Sequence, residues 1–177
     1  MSKTILPDPG CGKDNFSFER TLYSKGFSSV IGCDEAGRGP LAGPVVAASV
    51  LLPVDCEHSL FLDSKVLSHK KRLSLAQLLR QTPAVIGLGI VSEQEIDTIN
   101  ILQASLLAMK RAVQSMTPMS PDFILVDGKF PIPIDIEQCP LIKGESRSSS
   151  IAAASIIAKT ERDRIMTDLH TLYPLYN

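Results

Sequence analysis

The stretch Val30–Ser49, with the sequence VIGCDEAGRGPLAGPVVAAS, sets two adjacent carboxylates between two apolar segments. The apolar segments predict strands over residues 28–33 and 45–52. The residues between the strands are rich in glycine and proline, which is typical of a turn. The stretch therefore predicts a β-hairpin whose first strand ends at an acidic pair, Asp34 and Glu35.

Apolar periodicity along the rest of the chain predicts strands and helices that pack together. A capping-box pattern at Ser92 and Glu95 begins one helix, and Ser68 is the predicted N-cap of another. That other helix has a predicted apolar face of four leucines, Leu73, Leu75, Leu78 and Leu79. The predicted elements are helices near 16–23, over 69–80, over 92–116 and from 146 or 148 onward, and strands over 84–91 and 123–126. This order indicates an α/β or α+β protein with helices packed on a sheet.

The composition predicts one globular domain of residues 28–177, preceded by an N-terminal extension of residues 1–27. The 177 residues are 44% hydrophobic and 21% charged, which is enough for a buried core. The net charge of −1 excludes a protein that coats nucleic acid through overall positive charge. The four cysteines have no zinc-ligand spacing, and the sequence shows no signal peptide or membrane-spanning run. We therefore expect a soluble, cytoplasmic protein.

Four acidic residues at the ends of predicted elements are candidate metal ligands. Asp34 and Glu35 close the first strand. Asp127 ends the strand over 123–126, and Glu145 precedes the last helix. A solvated acidic pair, a turn-forming aspartate and a helix-dipole contact are the plainer interpretations of these positions. Because adjacent residues of a regular strand point to opposite faces, the metal-site interpretation expects the backbone to bend at the acidic pair.

Carboxylates that converge repel one another unless cations lie between them. Mg²⁺ and Mn²⁺ prefer oxygen ligands of this kind. Two such ions about 4 Å apart can activate a water and stabilise the leaving oxygen of a phosphodiester. The three histidines lie in ordinary helical or loop contexts, and the chain has neither a nucleophile elbow nor a P-loop. The acidic residues therefore favour metal-dependent phosphodiester hydrolysis.

Five sequence motifs follow one another along residues 28–177. They are DEAGRGPLAGPVVAA at 34–48, DSKVLS at 63–68, NILQASLLAMKRAV at 100–113, VDG at 126–128 and SIAAASIIAKTERDR at 150–164. Together they closely resemble the motifs of bacterial ribonuclease HII, the type 2 ribonuclease H, in the order that the family has them. The resemblance implies an α/β protein of ribonuclease H-like fold, in which helices flank a central mixed β-sheet.

The resemblance also implies an activity and its metal ions. The family cleaves the RNA strand of RNA–DNA hybrids and incises duplex DNA at an embedded ribonucleotide, using two Mn²⁺ or Mg²⁺ ions and leaving 5′-phosphate and 3′-hydroxyl ends. Asp34, Glu35 and Asp127 match the family's catalytic metal ligands. Glu145 stands where the family usually has aspartate, and its longer side chain is expected to alter metal spacing or preference. We expect a monomer that acts on nucleic acid and has no membrane partner.

The predicted substrate contacts include a glycine-rich turn and several basic residues. The turn over residues 37–39 matches the family turn that senses the ribose 2′-hydroxyl, and glycine permits the backbone to approach the sugar. Asn100 either holds a phosphate or caps the helix that follows it. The predicted contacts are Gly37, Arg38, Gly39, Lys65, Asn100 and Lys143.

Two alternatives compete with this interpretation. The first is a catalytically weak hybrid-binding module, suggested by Glu145 and by the end of the sequence at Asn177, where we expect the family's C-terminal segment to be missing. The second is another nuclease of the same fold, such as a type 3 ribonuclease H. Type 3 enzymes carry an additional N-terminal substrate-binding domain, for which residues 1–27 are too few. Nicking in Mn²⁺ discriminates between an enzyme and a binding module.

Overall fold

The computed structural model describes residues 14–61 and 67–175. Short 3₁₀ helices lie at His58–Leu60 and Gly144–Ser146. The helices are α1 (Ser17–Ser24), α2 (His69–Gln81), α3 (Glu93–Ile99), α4 (Ile101–Gln114) and α5 (Ser149–Leu172). The strands are β1 (Val30–Ala36), β2 (Val45–Leu51), β3 (Val85–Val91), β4 (Phe123–Asp127) and β5 (Glu137–Leu141).

The five strands form one mixed sheet in the order β3-β2-β1-β4-β5. β2 is antiparallel to both β1 and β3, which confirms the predicted hairpin. β4 is parallel to both β1 and β5. The mixed sheet that the family resemblance implied is therefore present. Because β1 and β4 are parallel neighbours, their C-terminal ends meet at one edge of the sheet.

Strand β1 continues to Ala36, three residues past the end predicted at residue 33. Asp34 pairs with Ala48, and Glu35 pairs with Ala47. The charged pair therefore stays in the ladder, opposite two small apolar residues of β2. The predicted end at residue 33 was wrong, because the change from apolar to charged residues does not coincide with the end of the strand.

The two long helices cover opposite faces of the sheet. Cys33 and Ala47 pack with the small residues Ala104 and Ala108 of α4. On the other face, β2 packs with the alanine-rich first half of α5. A Cβ atom at Gly32 would overlap the backbone of α5, so this helix lies directly against β1. The close packing predicted from the alanines of the last helix is confirmed.

Three further predictions about elements differ from the structure. The helix predicted over 92–116 is two helices, because Asn100 has a φ of +70° and interrupts the hydrogen-bonded run. Strand β5 was missed, because a segment containing Pro140 and polar residues has no alternating apolar pattern. In α2, Leu75 and Leu79 are buried as predicted. The other two predicted core leucines of α2 are exposed: Leu73 and Leu78.

Helix α1 belongs to the N-terminal segment that was predicted as an extension. It lies at the predicted position, and Phe16, Phe18 and Leu22 are buried in the core of the protein. The division of the chain at residue 28 stays a prediction. None of the described helices is long and apolar enough to cross a membrane.

Candidate functional site

The carboxylates of four predicted residues line one cavity of about 340 Å³. Asp127 is the last residue of β4, and the register that aligns Cys33 with Val126 brings Asp34 to the same edge of the sheet. The 3₁₀ helix after β5 carries Glu145 to that edge. The parallel pairing of β1 and β4 therefore gathers acids that are far apart in the sequence.

Both members of the acidic pair line the cavity, although they are adjacent in strand β1. Asp34 alternates with Gly32 and therefore lies on the α5 face of the sheet, whereas Glu35 alternates with Cys33 on the α4 face. Residues 34–37 nevertheless all line the same cavity, whose described lining includes side chains of α5 and no residue of α4. β1 stays paired with β2 through Ala36, and the bend expected at the acidic pair stays a prediction.

Asp34 and Glu35 are held in an environment that disfavours two negative charges. Burial raises the pKa of Asp34, and the nearby charges of Glu35 and Asp127 raise it further. Burial and the charge of Asp127 also raise the pKa of Glu35, while Arg38 opposes that shift. Glu35 Oε2 is buried and has no hydrogen-bond partner among the described residues. A positive charge placed in the cavity would relieve this repulsion.

The other two carboxylates are oriented by donors of the protein. The backbone N–H of Gly144 donates to Asp127 Oδ1 at 2.6 Å. Ser155 Oγ donates to Glu145 Oε2 at 3.1 Å, and Ser155 also forms a hydrogen bond with Asp34. Sequence reasoning missed Ser155. The signal for it is a lone hydroxyl in a run of alanine and isoleucine on a buried helix.

The donor set of the cavity matches the chemistry of a hard divalent cation. Four carboxylates supply only oxygen ligands, and the buried, unpartnered Oε2 of Glu35 is available to one. In the described part of the chain, no group of three or more His, Cys, Asp or Glu side chains already has the arrangement of a metal site. Asp127 and Glu145 instead accept the hydrogen bonds given above. Binding of a cation would therefore require these side chains to reorient.

The predicted substrate contacts differ in whether they line the cavity. Gly37 lines the cavity and has a φ of +104°, a conformation that favours glycine. Asn100 caps α4, because its side chain accepts from two backbone N–H groups of that helix. Lys65 lies outside the described residues. Four predicted contacts are not among the described residues that line the cavity: Arg38, Gly39, Asn100 and Lys143.

Three basic side chains line the cavity and were not predicted as contacts: Arg72, Lys159 and Arg162. Arg162 is only 5% exposed. Its burial could not be inferred from the sequence, because it lies in a run of charged residues typical of an exposed helix face. The cavity therefore combines four acids with a basic rim, a combination suited to metal ions and a phosphodiester.

Comparisons with known proteins agree on one family. A family model described as Ribonuclease HII matches residues 31–177. A Ribonuclease HII of Desulfotalea psychrophila is 61% identical over 166 residues, which cover 93% of this chain and 74% of the relative. A Ribonuclease HII of Geobacter sulfurreducens is 48% identical over 179 residues, covering 99% of this chain and 80% of the relative.

Solved structures have the same fold. The ribonuclease HII in a complex with PCNA from Archaeoglobus fulgidus gives a TM-score of 0.69 at 27% identity, covering 82% of this chain and 78% of that one. A ribonuclease HIII described as Bst-RNase HIII in complex with Mn²⁺ gives a TM-score of 0.68 at 22% identity, covering 94% of this chain and 59% of that one. Because the identity to the ribonuclease HIII structure is only 22%, this similarity supports the fold and nothing more.

Proposed function

The chain belongs to the ribonuclease HII family and is therefore a ribonuclease H, an endonuclease; on that premise we propose that Asp34, Glu35, Asp127 and Glu145 form its catalytic site. The observation that supports this proposal is that the four carboxylates line one cavity at the meeting ends of two parallel strands. The proposed substrates are RNA–DNA hybrids and duplex DNA that contains ribonucleotides.

We propose that the four carboxylates hold two divalent ions, Mn²⁺ or Mg²⁺. Such ions supply charge neutralisation and lower the pKa of bound water, so that phosphodiester hydrolysis leaves a 5′-phosphate and a 3′-hydroxyl. The protein's own contribution is to orient the ligands. The Gly144 N–H directs Asp127, and Ser155 lies between Asp34 and Glu145. The closely placed acids and the unpartnered Glu35 Oε2 support this assignment.

The turn over residues 37–39 is proposed to recognise the ribose. Gly37 lines the same cavity as the acids and has no side chain to block the sugar. A backbone group can then distinguish RNA from DNA through the 2′-hydroxyl. Proposed phosphate contacts come from Arg38, Lys65, Asn100 and Lys143. Action as a monomer in the cytoplasm also stays a prediction.

The decisive experiment compares Asp127→Asn with the wild-type chain on a DNA duplex that contains one ribonucleotide. The substitution keeps the hydrogen-bond acceptor for Gly144 but removes a charge that metal ions need. We expect cleavage in Mn²⁺ and in Mg²⁺ to fall by more than about 100-fold, beyond the loss typical of an outer-shell change. Affinity for the duplex, measured by fluorescence anisotropy, should be largely unchanged.

Asp97→Asn is the matched control, because Asp97 is an exposed acid on α3. It should cleave as the wild type does, and a chelator should abolish cleavage by both. Wild-type turnover by Asp127→Asn would contradict the proposed site. Binding of duplex without any nicking by the wild type would contradict the proposed mechanism. Cleavage of a long hybrid in parallel identifies the preferred substrate.

A further inference from the structure

The loop between β1 and β2, residues 37–44, has little polar support of its own. Among the described residues, the backbone of 38–43 makes no hydrogen bond to other backbone groups. Residues 38–42 are exposed, and the Leu41 side chain is fully exposed. Among the residues that the structure describes, the side chain of Arg38 bonds to Glu35, at 3.5 Å. The conformation of the loop must therefore be stabilised by contacts from another element.

Arg162 of α5 provides those contacts. Its Nε donates to the carbonyl oxygen of Pro44 at 3.1 Å, and its Nη2 donates to the carbonyl oxygen of Ala42 at 2.8 Å. The guanidinium is rigid and planar, so two bonds from one fork hold two points of the loop in a single arrangement. The residue is 5% exposed, and these bonds offset part of the cost of burying its charge.

The Arg162 side chain also packs against Gly37, the first glycine of the turn. A Cβ atom at Gly37 would lie 2.5 Å from Arg162 Nε and 2.5 Å from the carbonyl oxygen of Pro44. Arg162 also lines the cavity together with Asp34 and Glu35. One buried residue thus contacts the turn proposed to recognise ribose, the far end of its loop and the cavity of the catalytic acids.

We propose that Arg162 is a positioning residue that holds the 37–44 loop and thereby sets how strictly the enzyme requires a ribose 2′-hydroxyl. The proposal rests on the proposed function of the turn over residues 37–39. Arg162 acts on the substrate only through the loop. A turn held in one arrangement distinguishes a hydroxyl from a substituent of similar size, whereas a loose turn adapts to either.

The test uses Arg162→Met, which removes both hydrogen bonds, and Arg162→Lys, which keeps the charge but not the fork. The first measurement is the rate at which trypsin cleaves the folded protein after Arg38, followed by mass spectrometry. We expect Arg162→Met to raise this rate about tenfold, because a loop that has lost hydrogen bonds to a charged donor opens more often. Arg162→Lys should lie between Arg162→Met and the wild type.

The second measurement is the ratio of kcat/KM for a duplex with one ribonucleotide to that for the same duplex with a 2′-fluoro nucleotide. We expect Arg162→Met to lower this ratio about tenfold. This is the change in a ratio of kcat/KM values that corresponds to the free energy of one hydrogen bond. The Mn²⁺ concentration for half-maximal cleavage should stay unchanged, because Arg162 is not a metal ligand. A purely structural role would lower both kcat/KM values in proportion.

Arg164→Met is the matched control, because Arg164 lies on the same helix but is exposed and bonded to Glu161 and Asp168. It should match the wild type in both measurements.

An unchanged trypsin rate in Arg162→Met would overturn the proposal, and so would a faster rate with an unchanged substrate ratio. If Arg162→Met does not fold, Arg162→Lys decides, and failure of both to fold would show a role in stability alone. An inactive wild type would refute the proposed function, while the trypsin rate would still test the positioning role.

Discussion

Ser155 shows how a single hydroxyl can organise two carboxylates that the sequence places far apart. It donates to Glu145 at 3.1 Å and also forms a hydrogen bond with Asp34. Both acids are nearly buried, so each lost hydrogen bond has a cost that solvent does not compensate. Glu145 has one more methylene than aspartate, and the contact with Ser155 restricts that additional freedom. Ser155 is therefore expected to orient the proposed ligands.

We predict that Ser155→Ala weakens the binding of metal ions and therefore raises the Mn²⁺ concentration that cleavage requires. Removal of a group that orients metal ligands typically costs about 10–100-fold in metal affinity or activity. The measurement is the Mn²⁺ concentration that gives half-maximal cleavage. Thr167→Ala is the control, since Thr167 lies on the same helix and its hydroxyl donates only to the backbone of Asp163. A wild-type Mn²⁺ profile in Ser155→Ala would contradict the orienting role.

At the scale of elements, the contact of α5 with β1 determines where the site forms. Gly32 of β1 lies against the backbone of Ser150 and Ile151 at the start of α5. Ser155, Lys159 and Arg162 follow along the same helix and line the cavity. A helix held this close to the strand brings their side chains to Asp34. The absence of a side chain at residue 32 is therefore a condition for assembling the site.

We predict that Gly32→Ala lowers the free energy of unfolding by about 3 kcal/mol, because the added methyl group would force α5 away from the sheet. Urea denaturation measures the loss. Gly39→Ala is the control, since a Cβ atom at residue 39 would meet nothing within 4 Å. It should change the free energy of unfolding by less than about 0.5 kcal/mol. Equal stability of the two variants would contradict the close approach of α5.

At the scale of the whole molecule, a buried carboxylate joins the N-terminal helix to the start of α5. Glu19 of α1 is fully buried, and its Oε1 accepts from the hydroxyls of Ser148 and Ser150. It also accepts from the backbone N–H of Ser150, 131 residues away along the chain. Burial raises the pKa of Glu19, although the hydrogen bonds from the two serines oppose the shift. The region around α1 is thus tied to the helix that carries Ser155, Lys159 and Arg162, three of the residues that line the cavity.

This raised pKa predicts a dependence of stability on pH. The folded protein retains the proton of Glu19 above the ordinary value of 4.5, whereas the unfolded chain loses it near that value. The contribution of Glu19 to stability is therefore fully present below that value and declines as the pH rises through the folded pKa. In urea denaturation at a series of pH values, Glu19→Gln should gain stability relative to the wild type as the pH rises.

Ser24→Ala is the control for this prediction, because Ser24 is an exposed residue of α1 whose hydroxyl does not titrate. Its difference in stability from the wild type should be the same at every pH. A difference between Glu19→Gln and the wild type that does not change with pH would show that Glu19 has the same pKa in the folded and unfolded states.

The sequence alone determined the features that arise from local interactions. The apolar runs predicted the hairpin of β1 and β2, and Ser92 with Glu95 predicted the start of α3. These predictions succeed because a turn, a cap or a buried strand depends on residues a few positions apart. The same apolar runs indicated which acidic residues lie at strand ends and are candidate metal ligands. The motifs around those residues identified the family.

Only the tertiary structure decided which distant groups meet. The contact of Ser155 with Asp34, the bonds of Arg162 to the 37–44 loop and the bonds of Glu19 to α5 join residues more than 100 positions apart. No local pattern in the sequence identifies the partners of these three residues. Their partners depend on strand register and on the closeness of α5 to the sheet. Those are properties of the packed core, in which every element constrains the others at once.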